Sequence, residues 1–110
     1  MPHRPITLAG PRWHVADTPL RRLRGLLGRP PLTGGEGLVL VPCASVHTCF
    51  MPAPIDAVFL NRRGVILRVV AELRPWRAAG CRGAHAVLEL PAGTCARAGL
   101  APGDRLDPPY

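Results

Sequence analysis

Proline and glycine punctuate this chain too often for a long helix to form. Its 110 residues include 14 prolines and 12 glycines. Proline removes a backbone donor and blocks the helix interior, and glycine raises the entropic cost of ordering. Short elements joined by tight turns are therefore expected, and the clearest is a β-hairpin. Ala57 to Leu60 and Val65 to Leu73 are two β runs joined by Asn61-Arg62-Arg63-Gly64. Gly64 suits the left-handed position that closes a short hairpin loop. Leu38 to Val41 is a continuous apolar run, the pattern of a strand buried on both faces, and Pro42 stops it. Ala86 to Leu90 reads as another strand, with shorter candidates at Ile6 to Leu8, at Trp13 to Ala16 and around Arg105 and Leu106.

Two helical stretches fit between these strands. Asp17 or Thr18 can cap the first, Pro19 fits its first turn and Gly28 can end it. Leu20, Leu23, Leu26 and Leu27 give it an apolar stripe. The second is brief, from Gly93 to Gly99, with Thr94 as cap and Gly99 as terminator. Residues 74–84, RPWRAAGCRGA, read as a loop. With no linker or internal repeat, residues 1–110 are expected to form one mainly β domain, α+β at the margin. Its architecture would be a compact antiparallel β sandwich or barrel with one short N-terminal helix and a helical turn near the C-terminus. Hydrophobic residues make up 47% of the chain, enough for a core that buries roughly two-thirds of the unfolded surface.

A formal net charge of +7 invites a nucleic-acid reading. Against it, every basic residue other than histidine is arginine, and most of the arginines are scattered along the chain. Only two Trp, two Phe and one Tyr are available for base stacking. A solubilising basic surface is the simpler reading, and nucleic acid is not expected as a partner. MPHRPITLAG lacks the apolar run of a signal peptide and no later segment could span a bilayer, so a soluble, cytoplasmic chain is expected. Cys43, Cys49, Cys81 and Cys95 would then be thiols rather than bridges. Without CxxC spacing, thioredoxin-like chemistry and a zinc ribbon are disfavoured.

An ordered set of motifs carries a resemblance. GLLGRP at 25–30, GEGLVLVP at 35–42 and HTCFM at 47–51 are followed by PIDAVFLNRRGVI at 54–66 and AVLELPAGTCARAGLAPGDRL at 86–106. In order and spacing the chain resembles the domain of unknown function 192 family over about residues 13 to 106. The resemblance implies a compact, mostly antiparallel β sandwich or barrel with short helices, and no established biochemical activity. Many relatives look exported or membrane-anchored. Cys49 stands where relatives commonly have an aromatic two positions before the motif's methionine.

The stretch from Cys43 to Val70 holds the densest mix of thiols, imidazole, thioether and carboxylate, gathered in residues 43–56, and three chemistries compete for it. If residues 43–51 are extended, Cys43, Ser45, His47, Cys49 and Met51 share one face. His47, Cys49 and Met51 would then follow one another about 6.5 Å apart as a soft donor set for copper(I) or, without Met51, zinc. The competing structural reading is two buried apolar side chains beside a hydrogen-bonded histidine. Cys43 and His47, with Asp56 orienting the imidazole, would have the logic of a thiol hydrolase. No nucleophile elbow or oxyanion loop accompanies them. Asp56 and Glu89 could act as an acid–base pair only if the fold joined them; accepting backbone N–H bonds near a turn is the simpler role for each. Finally, Trp76 between Arg74 and Arg77 offers an aromatic platform with cationic flanks. The resulting expectation is a non-catalytic module that binds a small ligand or a protein partner. Its pocket would lie around residues 43–56 and 74–77 and use His47, Thr48, Met51, Asp56, Trp76 and Arg77, with no cofactor.

Overall fold

A computed structural model describes residues 5–6, 12–16, 36–49, 51 and 53–106. The strands are β1 (Pro5–Ile6), β2 (Arg12–Ala16), β3 (Glu36–Leu40), β4 (Ser45–His47), β5 (Ile55–Leu60), β6 (Ile66–Leu73), β7 (Ala78–Gly80), β8 (Ala86–Pro91) and β9 (Arg105–Leu106). One short helix, α1 (Thr94–Ala98), precedes β9. The first helical stretch, from Asp17 to Gly28, lies outside the described residues.

Five strands form one sheet in the order β2-β3-β8-β5-β6, and β1-β9 and β4-β7 make two smaller ribbons. The fold is mainly β, as expected, and its central pairings are antiparallel. The mostly antiparallel architecture holds, with parallel pairing at the edges, where β2 runs parallel to β3 and β1 parallel to β9. Strand pattern explains the layering. β3, β5 and β8 are nearly continuous apolar runs, and the sheet is covered on both faces. Leu38, Leu40, Ile55, Ala57, Phe59 and Val87 face a core shared with Val46 and Met51. Val39, Val58, Leu60, Ala86, Leu88 and Leu90 face the other, shared with Cys95, Leu100 and Leu106. The β4-β7 ribbon thus belongs with the first face and α1 with the second.

The hairpin forms where its sequence places it. Asn61 Oδ1 accepts the N–H groups of Arg63 (2.9 Å) and Val65 (3.0 Å), and Gly64 takes a left-handed φ of 81°. Two local expectations change. Residues 78–80 are a strand rather than loop, paired to β4 through Val46 and Ala79. At α1 the N-cap is Gly93 without a side-chain cap bond. Thr94 instead donates its hydroxyl to Pro91 O at 2.7 Å, while Gly99 ends the helix with φ 68°.

Candidate functional site

The expected extended run from Cys43 to Met51 stops at His47. Ser45 and His47 are exposed and Val46 buried, a regular strand alternation. Thr48 then turns the chain: its carbonyl accepts the Met51 N–H at 3.1 Å, and Met51 drops into the core beneath the ribbon. His47 and Met51 therefore do not share a face, and the alternating His47, Cys49, Met51 donor set does not form. Nδ1 of His47 accepts the Cys49 N–H at 3.3 Å. Among the described residues, no three His, Cys, Asp or Glu side chains converge in a way that could hold a metal ion. The Cys43–His47 pairing does not form either, since the Cys43 thiol donates to Ser45 O at 3.0 Å.

Thr48 is fully buried and organises its surroundings. Its backbone N–H donates to Arg77 O at 2.8 Å and its carbonyl accepts the Trp76 N–H at 3.1 Å. Its hydroxyl accepts the Arg77 N–H at 2.8 Å and donates to Arg74 O at 2.5 Å, with Arg77 O also within reach at 3.2 Å. One threonine thus clamps the whole turn from Arg74 to Arg77. Trp76 sits on that turn with a φ of 64° and is 58% exposed. A left-handed backbone is unfavourable for a bulky residue and persists only where surrounding bonds enforce it. Arg77 donates from Nη1 to Trp76 O at 3.3 Å, and Arg74, Arg77 and His47 are all exposed nearby in the chain path. The structure therefore brings His47, Thr48, Trp76 and Arg77 together, with Met51 packed underneath.

Asp56 does not join them. On β5 it alternates with Ile55 and Ala57, so it faces the opposite side of the sheet from the β4-β7 ribbon. Its Oδ1 accepts the Glu72 N–H at 2.9 Å and its Oδ2 the Cys95 N–H at 2.9 Å. Glu72 lies where the β5-β6 register shifts and has a φ of 53°, the backbone irregularity typical of a bulge. One carboxylate therefore satisfies a bulged strand and the start of α1 together. Burial first, and the Asp56 carboxylate second, push the Cys95 thiol up to about 12. Such a thiol is inert at neutral pH.

Glu89 lies on the ribbon-facing side, directly opposite Leu38 on β3 and Ala57 on β5. It is 3% exposed, and its Oε2 has no hydrogen-bond partner among the described residues. Burial pushes this acid from 4.5 up to about 7. Asp56 and Glu89 are thus on opposite faces, which removes the acid–base pairing considered from sequence. An unpartnered acid in a central strand has no local signature: LEL reads as ordinary strand alternation, and only the second covered face reveals the burial.

A small mainly β domain with a clamped tryptophan turn at one end of its sheet is the class these observations define. The chain belongs to the domain of unknown function 192 family, described as Uncharacterized ACR, whose model matches residues 7–108. A protein of unknown function from Novosphingobium aromaticivorans DSM 12444 superposes with a TM-score of 0.78 at 27% identity, covering 86% of this chain and 73% of that one. A second crystal structure, from Sinorhizobium meliloti 1021 and described as a candidate transcription regulator, gives a TM-score of 0.77 at 27% identity. It covers 84% of this chain and 78% of the other. No curated protein matches. Among the described residues, no helix is long and apolar enough to cross a membrane.

Proposed function

We propose that this domain is a non-catalytic binding module whose recognition surface is the Thr48-clamped turn carrying Trp76. The observation that carries this reading is a large aromatic held 58% exposed on a left-handed backbone by hydrogen bonds from one buried threonine. Rigid loops on a β scaffold are where recognition concentrates, and a fixed aromatic binds with little loss of side-chain entropy. Arg74, Arg77 and His47 set the preference. A flat apolar ring flanked by guanidinium groups suits a ligand that presents a planar or apolar patch beside negative charge, such as an acidic sugar or an acidic peptide. Met51 and Thr48 serve this surface from below by fixing the backbone, and Asp56 has no part in it.

Oligogalacturonate and a glutamate-rich peptide are suitable probes, followed by NMR. The chain has two tryptophans, so the indole N–H of Trp13 is an internal control for that of Trp76. A saturable shift of the Trp76 resonance alone, abolished in an Arg74→Ala/Arg77→Ala variant, is the expected result. No movement of that resonance with either probe, or equal movement in the variant, would overturn the assignment.

A further inference from the structure

The other end of the sheet holds a second candidate site. The tryptophan turn follows Leu73, at the end where Ile55 pairs with Leu73 and Pro91. At the opposite end, where Leu60 pairs with Ile66 and Ala86, an open cleft of about 370 Å³ is lined by Asn61, Arg62, Arg63, Gly83, Ala84 and His85. That volume is in the range that receives a small molecule.

We propose that this cleft binds the phosphate group of a small phosphorylated ligand. The hydrogen bonding of its walls makes it selective for anions. Most acceptors of the hairpin tip are used internally: Asn61 O takes the Gly64 N–H, Asn61 Oδ1 takes those of Arg63 and Val65, and Gly64 O takes that of Leu106. Arg63 O is occupied by Arg105 Nε at 3.2 Å. On the facing wall, Cys81 O accepts the Ala84 N–H, and His85 O accepts the Cys43 N–H. The cationic groups are not used up in this way. Arg62 and Arg63 are exposed, and Arg82 is exposed beside the cleft-lining Gly83. None of these three guanidinium groups meets an acceptor among the described residues. Among the described residues, no carboxylate lines the cleft to neutralise them.

The geometry is also preset. Arg105 and Leu106 brace the hairpin tip from β9, and the His85 N–H donates to Leu60 O at 2.7 Å, tying the two walls together. Guanidinium forks match phosphate oxygens two at a time, and such charge-assisted bonds are about twice as strong as neutral ones. Fixed walls that present donors and few spare acceptors discriminate by charge, so a cation or a neutral hydroxyl compound gains little there.

Inorganic phosphate and adenosine monophosphate, each titrated into the full chain at low ionic strength and read by amide chemical shifts, test this assignment. Saturable shifts are expected at Arg62, Arg63, Gly83 and Ala84. Comparable affinity for both probes would mean that the phosphate alone is read; tighter binding of the nucleotide would mean that the walls also hold its ribose or base. An Arg62→Ala/Arg63→Ala variant should bind at least about tenfold more weakly, and Arg74→Ala/Arg77→Ala, at the other end of the sheet, should bind normally. Arg82→Ala provides a second variant with a smaller loss. Shifts that never saturate, or that weaken equally in both double variants, would reduce the cleft to a non-specific basic surface. Saturable binding of a short single-stranded oligonucleotide, with no response to either small probe, would overturn the proposal in favour of nucleic acid.

Discussion

Asp56 on β5 and Glu89 on β8 belong to neighbouring, directly paired strands, and both are buried. Their surroundings differ in every other respect. Asp56 faces the core that contains α1, and each of its oxygens accepts a backbone N–H at 2.9 Å. Those donors come from a bulge residue and from the first turn of a helix, places where regular structure leaves an N–H without a strand or helix partner. Glu89 faces the core under the β4-β7 ribbon, between Leu38 and Ala57. Its Oε2 is unpartnered among the described residues, and burial carries the acid up to about 7. Burial alone therefore says little about a carboxylate. One stitches irregular backbone into the fold, whereas the other is held near neutrality as a cost that its own core does not explain.

The largest effect expected from this contrast is at Asp56. Truncation to alanine leaves the buried Cys95 N–H and the partly buried Glu72 N–H without their acceptor. The cost is about 1–3 kcal/mol for the buried group and less for the other, so Asp56→Ala should lose roughly 3 kcal/mol in urea unfolding. With α1 released, Cys95 should also become accessible to iodoacetamide, having been the slowest thiol in the parent. A loss under about 1 kcal/mol would break the comparison, because Asp56 would then be no better satisfied than Glu89.

Glu89 gives the next effect, through pH. Its folded value of about 7 lies above the ordinary 4.5, so the folded state holds a proton that the unfolded chain has lost. The stability it lends is fully present below pH 4.5 and is lost as pH rises through 7. The displacement corresponds to roughly 3 kcal/mol. Urea midpoints measured from pH 4 to 8 should fall across that window, and Glu89→Gln should flatten the fall. A slope that survives in Glu89→Gln belongs to some other group.

Replacing each acid by an apolar side chain sharpens the contrast further, because the sign should change. Glu89→Leu at pH 8 exchanges an ionised, unpartnered group for one that suits its neighbours, and a gain of about 1–2 kcal/mol is expected. Asp56→Leu should destabilise at every pH, by an amount close to that of Asp56→Ala. Destabilisation by Glu89→Leu would show that Glu89 is satisfied in solution.

The smallest effect concerns what else holds α1 in place. The Thr94 hydroxyl donates to Pro91 O at 2.7 Å and accepts a longer bond from Arg97 Nη2 at 3.4 Å within the helix, and Thr94→Ala should cost about 1 kcal/mol. A cost comparable with that of Asp56→Ala would shift the attachment of the helix from the carboxylate to the hydroxyl.

Short-range chemistry was legible in the residue order. Asn61-Arg62-Arg63-Gly64 closes its hairpin through bonds no more than four residues long. Gly99 ends α1 by the left-handed backbone that glycine tolerates. The apolar run of β3 announced a strand covered on both faces, and the ordered motifs identified the family over most of the chain. Legibility ended where pairing depends on distant partners. Ala78–Gly80 has too little side chain to declare itself a strand until β4 pairs with it. Of the site residues expected, Trp76, Arg77, Thr48 and His47 meet around one turn, while Asp56 serves the opposite face.

By itself, then, the order of residues determined the short elements, the hairpin, the mainly β class and the kinship, because each rests on contacts within a few positions or on a motif series. Tertiary structure decided which polar groups work together. Thr48 reaches its turn across 29 residues and Asp56 reaches Cys95 across 39. Whether such a group ends up satisfied, exposed or stranded depends on which faces of the sheet become covered, and neither propensity nor spacing along a chain encodes that.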